Sequence, residues 1–173
     1  KREQDTSYLA AHDALARDCS RRSMVLLKNE GELLPLKKSG QRIALVGPFA
    51  SDRTNLGGCW NIFGDKAREI DLEAGLRAAL VDPDLLTVAQ GCDFEAPIDG
   101  GIEAAVEIAR NADVVLLAIG EPSDFSGEAQ SRTQIIIPPA QQALAEAALL
   151  PLAEVPPPAK ALLTCLFLIC SRR

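Results

Sequence analysis

The sequence predicts an α/β protein in which a mostly parallel β-sheet is flanked by helices. Short apolar runs, typical of strands buried on both faces, alternate along the chain with segments of helical periodicity. The predicted helices have the length of crossover connections between parallel strands, which is the pattern of βαβ units. At 173 residues, 47% of them hydrophobic, the chain is long enough to form one domain with its own core.

The first half of the chain is predicted to contain a helix, a strand and a second helix. Residues 7–28 include no proline and carry recurrent apolar side chains, which favours one helix or a broken pair of helices. Residues 42–46 are apolar after the first position and precede Gly47-Pro48, as expected of a buried strand. Residues 71–81 are amphipathic, and Asp71 is the expected N-cap of this helix.

The second half repeats the alternation of strand and helix. Strands are predicted at residues 85–89 and 113–120, and helices at residues 102–112 and from Pro138 or Pro139 to residue 149. Ligands of parallel sheets bind beyond the carboxyl ends of the strands. A functional site is therefore expected at the loops that follow residues 46 and 120.

The last part of the chain differs in character from the rest. Residues 150–158 are rich in proline and are not expected to form a helix interior. Residues 161–170 are apolar, and they form either one more strand or a loosely attached segment. We therefore divide the chain into an N-terminal helical segment (residues 1–30), an α/β domain (31–149) and a divergent proline-rich and apolar tail (150–173).

Composition excludes several classes of function. A net charge of -6 with scattered basic residues argues against nucleic-acid binding, and the longest uncharged apolar stretch is too short to span a membrane. The sequence contains no CxxC pair and only one histidine, His12, so no metal site is predicted. Residues 47–53 lack the phosphate-binding patterns G-x-G-x-x-G and G-x-x-x-x-G-K-[ST], and we predict no cofactor. The polar N-terminal residues lack the apolar core of a signal peptide, which leaves the compartment unknown.

The loop that follows the strand at residues 113–120 contains candidate catalytic groups. Within residues 120–132 lie three carboxylates, Glu121, Asp124 and Glu128, together with Arg132. A carboxyl group on such a loop can be inserted into a pocket of another domain, where partial desolvation favours the protonated form that a general acid needs. Most acidic loops are solvated connections, and the residues alone favour that simpler interpretation.

Trp60 is the only tryptophan and lies in a loop among glycines, in the segment G-G-C-W-N (residues 57–61). An exposed indole can stack on the apolar face of a sugar ring, since it offers a large flat surface with little entropy to lose. The alternative is a side chain that covers the protein's own core, and the residues alone do not decide between the two.

Four segments, in the correct order, resemble the second domain of family 3 glycoside hydrolases, in the pattern of bacterial β-glucosidases. The resemblance covers about residues 13–148. The four segments are R-S-M-V-L-L-K-N-E with L-L-P-L (22–36), I-A-L-V-G-P (43–48), G-C-W (58–60) and the loop segments G-E, G-E-A, S-R-T and I-P (120–138). This resemblance implies a (β/α)8 barrel that supplies an aspartate nucleophile, followed by an α/β sandwich that supplies a glutamate as general acid/base.

The resemblance also implies roles for individual residues. By position, Glu128 would be the acid/base, and Trp60 would line the aglycone side of the sugar pocket of an enzyme acting on a β-glucoside or a related oligosaccharide. Arg132 would either anchor the loop or contact the substrate. Glu121 fits the opening Gly-Glu of the loop and is expected to be a structural hinge. The family pattern also suggests a periplasmic or secreted protein.

This sequence departs from the family pattern in two places. It contains no barrel, and therefore no nucleophile, so the chain alone is expected to be inactive. After residue 148 the family pattern continues into a further strand, a Gly-Arg-Pro turn and a Trp-x-x-Gly segment, none of which this sequence matches, so the domain is expected to be incomplete at its C-terminus. The alternatives are a non-catalytic carbohydrate-binding or scaffold module, and a small nucleotide-binding α/β protein, which the missing phosphate loop disfavours.

Overall fold

A computed structural model describes residues 9–29, 32–61, 66–153 and 161–167 of the chain. The chain consists of two compact units, Lys1–Pro35 and Leu36–Arg173. The first unit contains helix α1 (Leu9–Ser23). The second contains, in order, β1 (Ile43–Val46), α2 (Leu72–Ala79), β2 (Leu86–Ala89), α3 (Gly101–Arg110), β3 (Val114–Gly120), α4 (Pro139–Ala153) and β4 (Ala161–Phe167).

Helix α1 is shorter than the sequence predicts. It ends at Ser23 and residues 24–28 form no second helix, so the predicted helix or pair of helices through residue 28 is wrong there. Residues 7 and 8 lie outside the described residues. The Ser23 hydroxyl donates a hydrogen bond to the Ser20 carbonyl at 2.9 Å. Such local bonds compete with continuation of the helix, and Arg21 and Arg22 in the last turn suit its negative end.

The sheet is fully parallel, with the strand order β2-β1-β3-β4. Ile43 at the start of β1 pairs with Leu86 of β2 on one side and with Val114 of β3 on the other. This confirms the predicted α/β class with a parallel sheet and flanking helices. Of the two alternatives for the apolar segment at residues 161–170, its first seven residues form a strand, Ala161–Phe167, parallel to β3. Residues 168–170 lie outside the described part of the chain.

The core explains why the strands are uninterrupted apolar runs. Alternate side chains of β1 and β3 point to opposite faces of the sheet. Ala44, Val46, Val115 and Leu117 share one face and pack into a cluster with α3 and α4. The side chains of the other face are also buried, with exposed fractions of 0–1%: Ile43, Leu45, Val114 and Leu116. A strand buried on both faces needs no polar alternation.

Helix α4 is longer than the sequence predicts. It runs from Pro139 to Ala153 and so includes Pro151, although residues from 150 onward were expected to lie outside any helix. Proline removes one backbone hydrogen bond and clashes with the preceding turn, which breaks a long helix. Pro151 lies in the last turn of α4, and the helix ends two residues later at Ala153. Within the described residues, no helix is both long enough and apolar enough to cross a lipid bilayer.

Helix α2 begins at the predicted N-cap. Asp71 is 7% exposed, and its Oδ1 accepts a hydrogen bond from the Ala74 backbone N–H at 2.7 Å. Its other oxygen accepts from Arg53 Nε at 2.6 Å, which attaches the loop after β1 to this helix. Burial on its own would raise the pKa of Asp71, but the hydrogen bonds from Ala74 and Arg53 outweigh it and lower the pKa below the ordinary value.

We expect Asp71→Ala to reduce the free energy of unfolding by about 1–2 kcal/mol, because both the cap and the ion pair are lost. Asp71→Asn should lose less, since its amide oxygen still caps the helix. The pKa is lowered in the folded state, so the stability contributed by the charge is present above the unfolded pKa and is lost as the pH falls through the folded value. Urea titrations at pH 7 and pH 3 test this: wild type and Asp71→Asn should differ in stability at pH 7, and the difference should be smaller at pH 3.

Candidate active site

The candidate site lies at the carboxyl edge of the sheet, where β1 and β3 are neighbours. From β1 the chain crosses to β2 on one side, and from β3 it crosses to β4 on the other. The connections that leave β1 and β3 therefore diverge, and parallel sheets bind ligands in the crevice at this point. The two connections are the first loop (residues 47–61) and the second loop (residues 121–134).

A cleft of about 440 Å³ lies between these two loops. Trp60 of the first loop and Glu128 of the second both line it, so the structure brings together two of the three residues that the sequence singled out. Trp60 is 53% exposed, which favours an indole open to a ligand over one that covers its own core. The other lining residues are Thr54, Gly57, Gly58, Cys59, Asn61, Lys66, Glu69, Ser123, Asp124, Ser126, Gly127 and Gln130.

Glu128 is an exposed residue in a tight turn. The Gln130 backbone N–H donates to the Gly127 carbonyl at 3.3 Å, which closes a four-residue turn with Glu128 and Ala129 at its centre. Ala129 has a φ of 63°, a left-handed conformation that costs a residue with a side chain roughly 1–2 kcal/mol. Local strain of this kind is concentrated at functional sites.

Gly127 brings the two loops into close contact. Its φ is 121°, and a Cβ atom at this position would lie 3.2 Å from both Cβ and Sγ of Cys59. The neighbouring Ser126 Oγ is 3.8 Å from the same sulfur, a weak hydrogen bond. The turn that carries Glu128 therefore packs directly on the residue that precedes Trp60.

Arg132 is engaged within the second loop. Its guanidinium forms an ion pair with Glu121 and lies 4.3 Å from the centre of the Phe125 ring, a cation–π contact. The Arg132 and Glu121 side chains are 28% and 25% exposed, so the pair is shielded from solvent more than an ordinary surface pair. Arg132 is not among the residues that line the cleft within the described chain. These are the contacts of a loop anchor, one of the two roles that the sequence left open.

Two polar residues that sequence reasoning missed also hold the loops. Asn55 is 4% exposed, and its Oδ1 accepts hydrogen bonds from the Ser123 backbone N–H at 2.7 Å and from the Ser123 hydroxyl at 2.9 Å. The signal for Asn55 was weak, since asparagine is common in any loop.

Gln141 of α4 is the second missed residue. It is fully buried, and its Oε1 accepts from the Gly120 backbone N–H at 2.8 Å. Its Nε2 donates to the carbonyls of Gly120 and Phe94 at 2.9 and 2.7 Å. The signal for Gln141 was its helical spacing with the core residues Leu144 and Ala148, which places it on the buried face of α4.

The cleft combines acidic groups with one large apolar surface. Glu69, Asp124 and Glu128 line it, and Lys66 is the one cation among the described lining residues. No group of three or more histidine, cysteine or carboxylate side chains in the described chain is arranged to hold a metal ion. An exposed carboxyl group beside an exposed indole can donate a proton to a polar ligand that stacks on the ring.

Comparison with known proteins places this chain and its fold in a family. Residues 24–156 match the model of the glycosyl hydrolase family 3 C-terminal domain. A β-glucosidase from Listeria innocua, solved in complex with isofagomine, superposes with a TM-score of 0.82 and 32% identity, over 96% of this chain and 22% of that one.

Two curated relatives agree with this match. A periplasmic β-glucosidase of Salmonella typhimurium is 35% identical over 153 residues, and the probable β-D-xylosidase 7 of Arabidopsis thaliana is 36% identical over 135 residues. The matches cover 77% and 78% of this chain but only 20% and 17% of the relatives, so the chain spans about a fifth of their length. A family match over most of the chain, together with the same parallel fold, shows that this protein belongs to glycosyl hydrolase family 3 and carries its C-terminal domain.

Proposed function

We propose that this chain is the acid/base-bearing domain of a retaining glycosidase that removes terminal β-linked sugars, with β-glucosides or related oligosaccharides as substrates. One observation carries the proposal: Glu128 and Trp60, from loops that leave neighbouring strands, line one open cleft. In this proposal Glu128 is the general acid/base and Trp60 is the surface on which a sugar ring stacks. The aspartate nucleophile comes from a barrel domain that docks over the cleft, in the same chain or in another.

The reaction needs two carboxyl groups about 5 Å apart. The nucleophile attacks the anomeric carbon while the Glu128 carboxyl group gives its proton to the glycosidic oxygen, and the bond between that carbon and oxygen breaks. The Glu128 carboxylate then takes a proton from water, whose oxygen attacks the anomeric carbon and releases the sugar from the nucleophile. Exposure of Glu128 suits this mechanism, because its partner groups lie in the other domain.

The remaining residues have supporting roles in this proposal. Arg132 holds the second loop through Glu121 and Phe125 and does not contact substrate. Residues 31–149 form the body of the domain, between the N-terminal helical segment (1–30) and the divergent tail (150–173), whose residues 161–167 add the strand β4 to the sheet. The chain alone is inactive because it lacks the nucleophile. By analogy with the periplasmic relative, we place the complete enzyme outside the cytoplasm.

The test is a chimera in which this chain replaces the matching segment of the Salmonella periplasmic β-glucosidase. We expect Glu128→Gln to reduce hydrolysis of substrates with poor leaving groups by roughly 100-fold or more, the usual contribution of acid catalysis. Substrates with activated leaving groups should lose less in the glycosylation step, because they need little protonation. The measurement is single-turnover release of aglycones that span a range of basicity.

The other two carboxylates of the cleft provide matched controls. Glu69→Gln and Asp124→Asn remove a charge from the same cleft and should not show the dependence on leaving group. If Glu128→Gln slows all leaving groups equally, or if one of the controls shows the dependence instead, the assignment of Glu128 is wrong. If the purified chain alone hydrolyses an aryl β-glucoside, the proposed division of labour between two domains is wrong. If a correctly folded chimera binds sugar but does not hydrolyse it, the non-catalytic carbohydrate-binding module is favoured instead.

A further inference from the structure

The first loop makes its strongest polar contact with the second loop through one buried side chain. Asn55 Oδ1 accepts both hydrogen-bond donors of Ser123, at 2.7 Å from the backbone nitrogen and 2.9 Å from the hydroxyl. Asn55 is 4% exposed, so water does not compete effectively for these bonds. Few loop asparagines are so fully buried, because an amide loses its hydration there unless it is bonded.

The backbone around Asn55 is itself held in place. The Asp52 carboxylate accepts hydrogen bonds from the backbone N–H groups of Thr54 and Asn55, both at 3.0 Å. The Asn55 carbonyl in turn accepts from the Gly58 N–H at 3.0 Å. The side chain that reaches Ser123 therefore extends from a rigid turn, and can position what it binds.

Ser123 is the point from which the rest of the second loop is built. It begins a short 3-10 turn, Ser123–Phe125. The ring of Phe125, the last residue of this turn, makes the cation–π contact with Arg132. Ser126 and Gly127 follow and contact Cys59, and Glu128 comes next. A shift at Ser123 is therefore passed along five residues of chain to the carboxyl group.

We propose that Asn55 is the positioning residue that holds Glu128 opposite Trp60, through its two hydrogen bonds to Ser123. The proposal rests on the role of Glu128 given above, but its structural part concerns the two loops alone. Asn55 acts through the second loop and does not touch substrate, because it is buried and is not among the described residues that line the cleft.

The first test uses the chain by itself and needs no catalysis. We expect Asn55→Ala to increase amide hydrogen exchange in residues 121–134 by roughly tenfold, the combined effect of losing both hydrogen bonds to Ser123. Asn55→Asp should restore most of the protection, because a carboxylate oxygen accepts the same two bonds. Exchange in β3 should stay unchanged in both variants. Trp60, the only tryptophan, reports the same change as altered quenching of its fluorescence by acrylamide.

Thr54→Ala is the matched control, since it changes the neighbouring exposed side chain of the same turn and should leave exchange in the second loop unchanged. If Asn55→Ala prevents folding, Ser123→Ala still tests the proposal. It removes only the hydroxyl donor, one of the two hydrogen bonds, and should raise exchange by roughly threefold, which is half of the tenfold effect on a free-energy scale. The proposal would be overturned if exchange were unchanged in the variants that fold. It would also be overturned if the second loop exchanged as fast in Asn55→Asp as in Asn55→Ala.

The second test uses the chimera and separates positioning from a general loss of stability. Asn55→Ala should lower kcat for substrates with poor leaving groups more than for activated ones, as Glu128→Gln does, with little change in KM. Asn55→Asp should recover most of that loss. If exchange in the second loop rises but Glu128→Gln has no effect on leaving-group dependence, the contact between the loops stands and the proposed role of Glu128 fails. If Glu128 shows the dependence and Asn55→Ala does not, the positioning role fails and the function stands.

Discussion

Replacement of Gly47 by alanine is expected to prevent the domain from folding. Gly47 has a φ of 127°, outside the conformations that residues with a side chain adopt readily. A Cβ atom there would lie 2.2 Å from the Ala118 carbonyl oxygen. Ala118 is fully buried in β3, so the clash involves backbone that cannot move aside. We expect a loss of more than about 4 kcal/mol, comparable with the whole stability of many domains.

A second glycine supplies the control for this experiment. Gly40 also has a left-handed conformation, with a φ of 69°, but a Cβ atom there would meet nothing within 4 Å. Gly40→Ala should therefore show only the backbone penalty, roughly 1–2 kcal/mol. Circular dichroism shows whether Gly47→Ala folds at all, and urea titrations monitored in the same way measure the free energy of unfolding of each variant that folds. If Gly47→Ala unfolds at the same urea concentration as Gly40→Ala, the close approach to Ala118 is not the reason for a glycine at this position.

The same close approach also places the two loops that line the cleft. The Gly47 N–H donates to the Ala89 carbonyl of β2 at 3.1 Å, and the Phe49 N–H donates to the Ala118 carbonyl of β3 at 3.2 Å. The first loop therefore begins by bonding to a strand on each side of β1. It is held over the end of β3, from which the second loop leaves, and this places Trp60 and Glu128 on the same cleft.

The strands and the fold class could be predicted because burial on both faces leaves a direct trace in the sequence. The apolar run of β3 needs no partner to be recognised, and its predicted start at residue 113 differs from Val114 by one position. The Asp71 cap could be predicted because its main partner, Ala74, lies three residues away. Local patterns of this kind do not depend on the tertiary structure.

The missed features depend on contacts between distant residues. The bond from Asn55 to Ser123 joins two loops that no local pattern connects. The role of Arg132 could not be decided from the sequence, because an arginine in a loop rich in carboxylates can either contact a substrate or anchor the loop. Its cation–π contact with Phe125 favours the loop anchor. The sequence could place Glu128 on a loop, but the cleft that it shares with Trp60 follows from the strand order β2-β1-β3-β4.

The second large effect is expected from Gln141→Glu. The introduced carboxyl group has the same shape, and one oxygen still accepts from the Gly120 N–H. In the wild type, Gln141 Nε2 lies 2.9 and 2.7 Å from the carbonyl oxygens of Gly120 and Phe94. In the variant, the second carboxyl oxygen takes the place of this nitrogen and faces both carbonyl oxygens. An ionised carboxylate cannot donate to either carbonyl, so it repels both in a fully buried position. We expect the variant to lose roughly 3 kcal/mol or more at neutral pH.

This loss should depend on pH in a defined direction. Burial and the two carbonyl oxygens raise the pKa of the introduced carboxyl group in the folded state. The folded protein then holds a proton that the unfolded chain has released, so stability falls by about 1.4 kcal/mol per pH unit between the unfolded and the folded pKa. Below the unfolded pKa the protonated group donates to one carbonyl, and much of the stability returns. Urea titrations between pH 4 and pH 7 measure this slope relative to wild type.

The neighbouring residue separates this effect from the mere addition of a charge. Gln142 is exposed on the same turn of α4 and bonds to Glu146 at 2.9 Å, so Gln142→Glu adds a like-charge pair that costs only about 0.2–0.5 kcal/mol. Gln141→Met keeps the volume without any charge, and should be destabilised at every pH with no slope, because three backbone groups lose their partner. If Gln141→Glu behaves like Gln142→Glu, the end of β3 does not depend on this amide. The second loop would then leave the sheet from a point held by other contacts.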